Sequence, residues 1–205
     1  MNLKINLITI SFILSFAFLA SPQDKGKEFL EAIQTKYKSI NNLSADLKQS
    51  INDKSNLSSK IYYAKGNKLR IELKNSTIIS DGSVLWNYNK GQKKVIVNNA
   101  SGSEPSFYNL DKFIYDYPSK SDVSVENENG NNILVLTPHN ANEMNFKKAK
   151  IWVNKENLIT KISIDNLSGG HVNLQLSNYK LNQILPDSIF TFSPPEGTNI
   201  IDLRK

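Results

Sequence analysis

The sequence predicts an α+β fold that is mostly β: one curled antiparallel sheet of about ten or eleven strands, covered by two amphipathic helices. Short runs of period-two alternation follow one another, separated by turn dipeptides such as Asp81-Gly82 and Asn129-Gly130. Only two stretches switch to the helical period. The strands also arrive as hairpins, with no crossover helices between them, which excludes a doubly wound α/β fold. About ten strands in one meander tend to curl, and the concave apolar face then needs a cover.

The elements follow in order. Phe29, Leu30, Ile33, Tyr37 and Ile40 share one face of a helix running from Asp24 to about Asn41. From Leu43 the period becomes two, and Leu43, Ala45 and Leu47 alternate with polar residues. "DKSN" turns the chain, and "LSSKIYYAKGN" returns as a strand ending at Gly66-Asn67. In "KLRIELKN", Leu69, Ile71 and Leu73 take one face, and Lys68, Arg70, Glu72 and Lys74 the other. "STIIS", "SVLWNYN" and "KKVIVNN" continue the meander. Pro105 then opens a second helix over about 106–117, with Phe107, Leu110, Phe113, Ile114 and Tyr117 at helical spacing.

Strands resume after Pro118, as one hairpin over Asn129-Gly130 and another turning near Lys155-Glu156-Asn157. "GGHVNLQLSNYKLN" adds a further strand. Phe190 and Phe192 alternate with polar residues, so they read as a closing strand stopped by Pro194 and Pro195, which donate no hydrogen bond. Gly197 lets the chain turn, and "TNIIDLRK" runs on along a sheet edge.

The first residues have a different purpose. Lys4 precedes an apolar run from about Leu7 to Ala20, the pattern of a secretory signal cleaved between Ala20 and Gln23. The expected organisation is a signal peptide over 1–22 and one domain over 23–205, exported and free in solution as a monomer. The chain has no cysteine, so disulfides, catalytic thiols and an acylated cysteine of its own are excluded. The net charge of +6 comes from lysines spread through the chain. No basic stripe is interleaved with aromatics, and export removes the chain from nucleic acid, so nucleic acid is not an expected partner.

The polar inventory suggests no reaction. His139 and His171 are the two histidines, and their spacing gives no metal site. Phosphate-binding glycine motifs and a nucleophile elbow are absent. Glu126 and Glu128 share one face of a hairpin strand and read as a solvated pair. An enclosed apolar surface without reactive groups favours binding over catalysis, with no metal and no cofactor.

Three segments resemble the periplasmic outer-membrane lipoprotein carrier family, LolA. "TIISDGSVLWNYN" (77–89) is similar to its Ser-Asp-Gly…Leu-Trp-x-Tyr hairpin. "IYYAKGNKLRIEL" (61–73) is similar to its basic-then-aromatic strand, and "FTFSPPEGTNIIDLRK" to its Phe-x-Phe-x-Pro-Pro-x-Gly ending. "ILVLTP" also fits, and the likeness covers nearly all of the chain after the signal.

The resemblance implies an incomplete β-barrel with a helical lid over an apolar cavity. It also implies a periplasmic chaperone that shields lipoprotein acyl chains. Such a carrier takes its cargo from an inner-membrane lipoprotein-releasing ABC transporter and delivers it to the outer membrane, in many species to a receptor of the LolB type. The residues expected to contact acyl chains are Phe29, Ile33, Leu69, Ile71, Leu73, Trp86, Phe107, Leu110 and Phe113. Where the family often has arginine-proline before an aromatic, this chain has Lys65-Gly66 and then Leu69, so Lys65 and Arg70 are both gate candidates. The alternative is a periplasmic lipid- or ligand-binding sensor module on the same scaffold.

Overall fold

A computed structural model describes residues 22–54, 57–100 and 109–204 of the chain. The apolar run ending at Ala20 and Phe107 of the second helix lie outside the described residues.

Helix α1 (Pro22–Lys38) leads into β1 (Asn42–Ile51), β2 (Leu57–Ala64), β3 (Lys68–Glu72), β4 (Ser76–Asp81), β5 (Val84–Asn89) and β6 (Lys94–Asn99). A π-helical turn (Lys112–Asp116) and α2 (Tyr117–Ser119) form a roof segment. Then follow β7 (Ser121–Glu128), β8 (Asn131–Pro138), α3 (Ala141–Met144), β9 (Phe146–Val153), β10 (Ile159–Asn166) and β11 (His171–Leu181). A 3₁₀ turn (Asp187–Phe190) and β12 (Asn199–Asp202) end the chain.

Among the described residues twelve strands, one or two more than the sequence predicts, form a single open sheet in the order β12-β6-β5-β4-β3-β2-β1-β11-β10-β9-β8-β7. The hairpin turns fall where the dipeptides put them. Asn129 and Gly130 both adopt positive φ, at 52° and 79°, as a two-residue primed turn requires.

Alternation divides the sheet into two faces. On one, Leu43, Ala45 and Leu47 of β1 stand beside Ile61 and Tyr63 of β2 and Leu69 and Ile71 of β3, all buried. This face continues through β11, β10, β9 and β8 into one core. Helix α1 and the roof segment cover it with Ile33, Tyr37, Leu110, Phe113, Ile114 and Tyr117. Tyr117 meets Phe113 edge-on at 5.0 Å and Phe146 at 5.3 Å. Helix α1 runs close over the β7 edge. A Cβ on Gly26 would lie 2.6 Å from the Val123 carbonyl oxygen, so only glycine permits this approach.

The second helix departs from a regular α-helix for an identifiable reason. Pro118 has no N–H to donate to the Ile114 carbonyl, and the Tyr117 N–H reaches back to Lys112 in a π turn. The Gln34 side chain on α1 donates to the Ile114 oxygen instead, at 2.9 Å. The helical break is therefore also the point where the two covering elements are joined.

The expected closing strand is corrected. Phe190 ends the 3₁₀ turn and Phe192 lies in unpaired chain between Pro186 and the Pro194-Pro195 pair. These prolines withhold the donors that a strand ladder needs. Both rings instead cover the opposite face of the sheet, where Ile79, Val95 and Val97 are buried and Phe192 lies 6.5 Å from Trp86 and 5.2 Å from Tyr88. The last strand is β12, which lies parallel to β6 along that edge of the sheet, as expected for the residues after Gly197.

Candidate functional site

The roofed face ends in a cavity of about 660 Å³ between β2, the end of α1 and the start of the roof segment. Its walls include the rings of Tyr37, Tyr63 and Tyr115. Lys38, Lys65 and Lys112 stand around it, with Asp111 and Asp116 from the roof. A narrow cleft of about 20 Å³ shares several of these residues and continues past Leu69, Ser80 and Leu85, with Lys68 at its side.

The tyrosine hydroxyls are already engaged. Tyr63 donates to the Asp111 carboxylate. Tyr37 accepts from the Ile159 N–H at 3.1 Å, and Tyr115 reaches the Gln34 carbonyl at 3.5 Å. Burial pushes Tyr37 up to about 12 and raises Tyr63 further, where the neighbouring Asp111 charge adds to the effect. Burial also raises Asp111 above the usual carboxylate range, although the Tyr63 hydrogen bond opposes the shift. The Tyr63–Asp111 contact is thus a protonated phenol bonded to a carboxylate that is reluctant to ionise.

The acyl-binding residues expected from the sequence separate into groups. Ile33, Leu69, Ile71, Leu110 and Phe113 meet in the roofed core, each no more than 5% exposed. Phe29 and Leu73 are half-buried and pack against it. Leu69 also borders the narrow cleft. Trp86 stands on the other face: Leu85 pairs with Ser80 on the roofed side, so its neighbour Trp86 must point away, towards Phe192. The gate candidates separate in the same way. Lys65 borders the cavity and donates to Asn41 at 3.1 Å. Arg70 lies on the opposite face, paired with Glu72 and donating to the Ile189 carbonyl at 3.2 Å, where it holds the 3₁₀ turn.

Sequence reasoning missed Tyr63, Tyr37, Tyr115, Asp111 and Lys112. Tyr63 alternates in phase with Ile61, so its face was legible. Its pairing with a residue 48 positions away had no local signal.

An open sheet, antiparallel except for β12 at its edge, with a helical roof over one face and a cavity at the roof's edge defines a half-barrel. Chains of this shape are known: the fold matches an uncharacterized conserved protein of Thermus thermophilus with a TM-score of 0.59 at 11% identity, covering 87% of this chain and 99% of that one. A DUF1329 family protein of Desulfovibrio piger matches with a TM-score of 0.52 at 17% identity, over 84% and 98%. Within this architecture, the sequence model of the outer membrane lipoprotein carrier protein LolA matches residues 38–193, and the chain belongs to that family.

Relatives at the sequence level agree. An outer-membrane lipoprotein carrier protein of Francisella tularensis is 24% identical over 97% of this chain and 98% of its own length. Another, from Legionella pneumophila, is 26% identical over 83% and 88%. An uncharacterized protein of Methanocaldococcus jannaschii is 27% identical over 98% of this chain, which spans 61% of that relative's length.

Proposed function

We propose that residues 1–22 are a cleaved export signal and that the domain over 23–205 is a periplasmic chaperone that carries lipoproteins from the inner to the outer membrane. Its partners would be acylated lipoproteins, the inner-membrane ABC transporter that releases them, and an outer-membrane receptor of the LolB type. The observation that carries this reading is the roofed face. Two covering elements place Ile33, Leu110 and Phe113 on a sheet face rich in leucine and isoleucine, and the roof has a polar fastening at the edge of the cavity. Lifting the roof would expose an apolar bed flanked by helices.

The energetics suit a carrier better than a tight binder. Three acyl chains expose roughly 45 methylenes, about 36 kcal/mol of transfer free energy relative to water. Non-covalent affinity saturates near ~18–21 kcal/mol, so the useful competitor is the membrane and not water. A closed roof shields the bed when empty, and cargo exchanges for the roof's own apolar contacts. Loading would be driven by the transporter and release by a better acceptor.

A second reading follows from the cavity walls, which are tyrosine and lysine more than aliphatic. They favour a module that binds lipid or another ligand without ferrying it. Transfer separates the two: protein loaded with a radiolabelled lipopeptide is mixed with vesicles of outer-membrane lipid. A carrier gives up its label to them, and a sensor retains it.

A further inference from the structure

We infer that β12 is a docking edge for an extended segment of the cargo polypeptide, the stretch beside the acylated residue, which adds to the sheet as a further strand while the acyl chains lie on the roofed face. This rests on the acyl-binding reading above and adds a site for the protein part of the cargo. The two edges of the sheet differ. At one, α1 covers β7, so closely that Gly26 must be glycine. At the other, β12 has β6 on one side and, among the described residues, no strand on the other. Two of the four large apolar side chains that stand exposed among the described residues, Ile200 and Leu203, are at this edge.

The backbone of this edge defines what it can take. The Asn199 and Leu203 N–H groups donate to the Lys93 and Val97 carbonyls along β6, each at 2.8 Å. Both backbone groups of one residue point to the same side of a parallel ladder, and successive residues alternate. Ile201 therefore faces β6 as well, and the N–H and C=O groups of Ile200 and Asp202 face outward. Among the described residues no group pairs with them. A row of alternating donors and acceptors of this kind is matched by another extended backbone.

The position of the edge selects the cargo as the source of that backbone. A row of paired residues, Ile71, Ile78, Asn87, Ile96 and Ile201, crosses the roofed side of the sheet from β3 to β12 and is apolar at every place but Asn87. It begins in the roofed core at Ile71 and becomes half-buried at Ile78, Ile96 and Ile201. The distance from β3 to β12 is roughly 19 Å, at ~4.8 Å for each strand spacing. An acyl chain laid along this row leads from the roofed core to the edge, where the polypeptide attached to it meets β12. A second copy is a poorer occupant. β12 has four residues, and so short an edge cannot bury the ~1,200 Å² that a stable dimer needs. The same shortness suits a segment that must later be released.

The test holds the acyl chain constant and varies the backbone attached to it. Displacement of an environment-sensitive dye from the mature protein is measured with palmitate, with a palmitoylated peptide of alternating valine and threonine, and with the same lipopeptide methylated on its peptide nitrogens, each below its micellar concentration. The methylated form keeps the acyl chain and the side chains and cannot donate to the edge. The unmodified lipopeptide should bind about tenfold more tightly than the methylated one, the order that one or two net hydrogen bonds supply. It should also slow amide hydrogen exchange at Ile200 and Asp202. Ile200→Pro removes an outward donor and none of the bonds to β6, a change that an edge strand tolerates. This variant should bind the two lipopeptides equally and keep its affinity for palmitate. If it fails to fold, the two lipopeptides and the exchange rates on the unaltered protein decide. Equal affinity for both lipopeptides overturns the inference and leaves acyl binding intact. Tighter binding of the unmodified lipopeptide without slowed exchange at Ile200 and Asp202 places the peptide elsewhere and overturns it as well. So does slowed exchange there that grows with protein concentration and needs no peptide, because a second copy then occupies the edge. Binding of none of the three overturns the acyl-binding reading and the inference with it.

Discussion

Tyr63 on β2 donates its hydroxyl to the carboxylate of Asp111 at the start of the roof, joining the sheet to its cover at the edge of the cavity. The Asp111 N–H is itself held by the Asn109 side chain at 3.0 Å, which fixes the carboxylate's approach. Tyr63→Phe should leave a half-buried carboxylate without its donor, costing about 1–3 kcal/mol. The melting temperature should fall and dye should enter faster. An unchanged melting temperature and unchanged dye kinetics would show that this contact does not fasten the roof.

The same contact gives a pH dependence. Burial raises Asp111 above its unfolded value, so the folded protein binds this proton more readily than the unfolded chain does. Its favourable contribution is complete below the unfolded pKa, near ~3.9, and is lost as pH rises through the raised folded value. Asp111→Asn removes that loss. Measured by urea denaturation, its stability relative to the unaltered protein should improve as pH rises from about 4 and level off once the pH passes the raised folded value. A difference that is flat with pH would exclude Asp111 as a titrating group.

Gln34 takes the place of the donor that Pro118 lacks, at the Ile114 carbonyl. Gln34→Ala should cost about 1–3 kcal/mol by leaving that oxygen unpaired. In the Pro118→Ala background a backbone N–H becomes available, and the same substitution should cost clearly less. Equal costs in both backgrounds would refute this account of the π turn.

Leu69 is core as well as cleft wall, so the two roles need different variants. Leu69→Glu should bury an unpaired charge and lower the melting temperature sharply. Leu69→Met keeps the volume, should cost less than ~1.5 kcal/mol, and leaves cargo release open to measurement. A thermally stable Leu69→Glu protein would mean that this side chain is free to leave the core.

On the opposite face, Arg70 and Phe192 hold the C-terminal segment against β3 and β5. Arg70→Ala and Phe192→Ala should both reduce stability while leaving dye affinity within about twofold, because the sheet separates them from the cavity. Loss of dye binding at full stability would mean that the two faces are coupled.

Local signals carried much of the fold. Asp81-Gly82 and Asn129-Gly130 mark their hairpins, and alternation in "KLRIEL" gives the correct faces of β3. What depended on distant partners was not legible. Leu85 and Trp86 are neighbours and both apolar, and only the register with β4 decides which of them lies under the roof. Arg70 alternates with the core residues of its own strand, so its face was readable, yet its partner Ile189 lies 119 residues away. Phe190 and Phe192 have strand spacing, but proline chemistry on both sides prevents a ladder. The cavity was the least visible feature, because Tyr63, Asp111 and the lysines come together only through the fold.

The central claim is that the roofed face exchanges its cover for lipoprotein acyl chains. Its most direct test is co-expression of the full chain with a tagged lipoprotein, followed by purification of the soluble exported fraction on the tag. The account predicts a one-to-one soluble complex with the acylated lipoprotein and none with a variant whose acylated cysteine is replaced by serine. Equal recovery of both forms, or of neither while the protein itself is folded and exported, would contradict it.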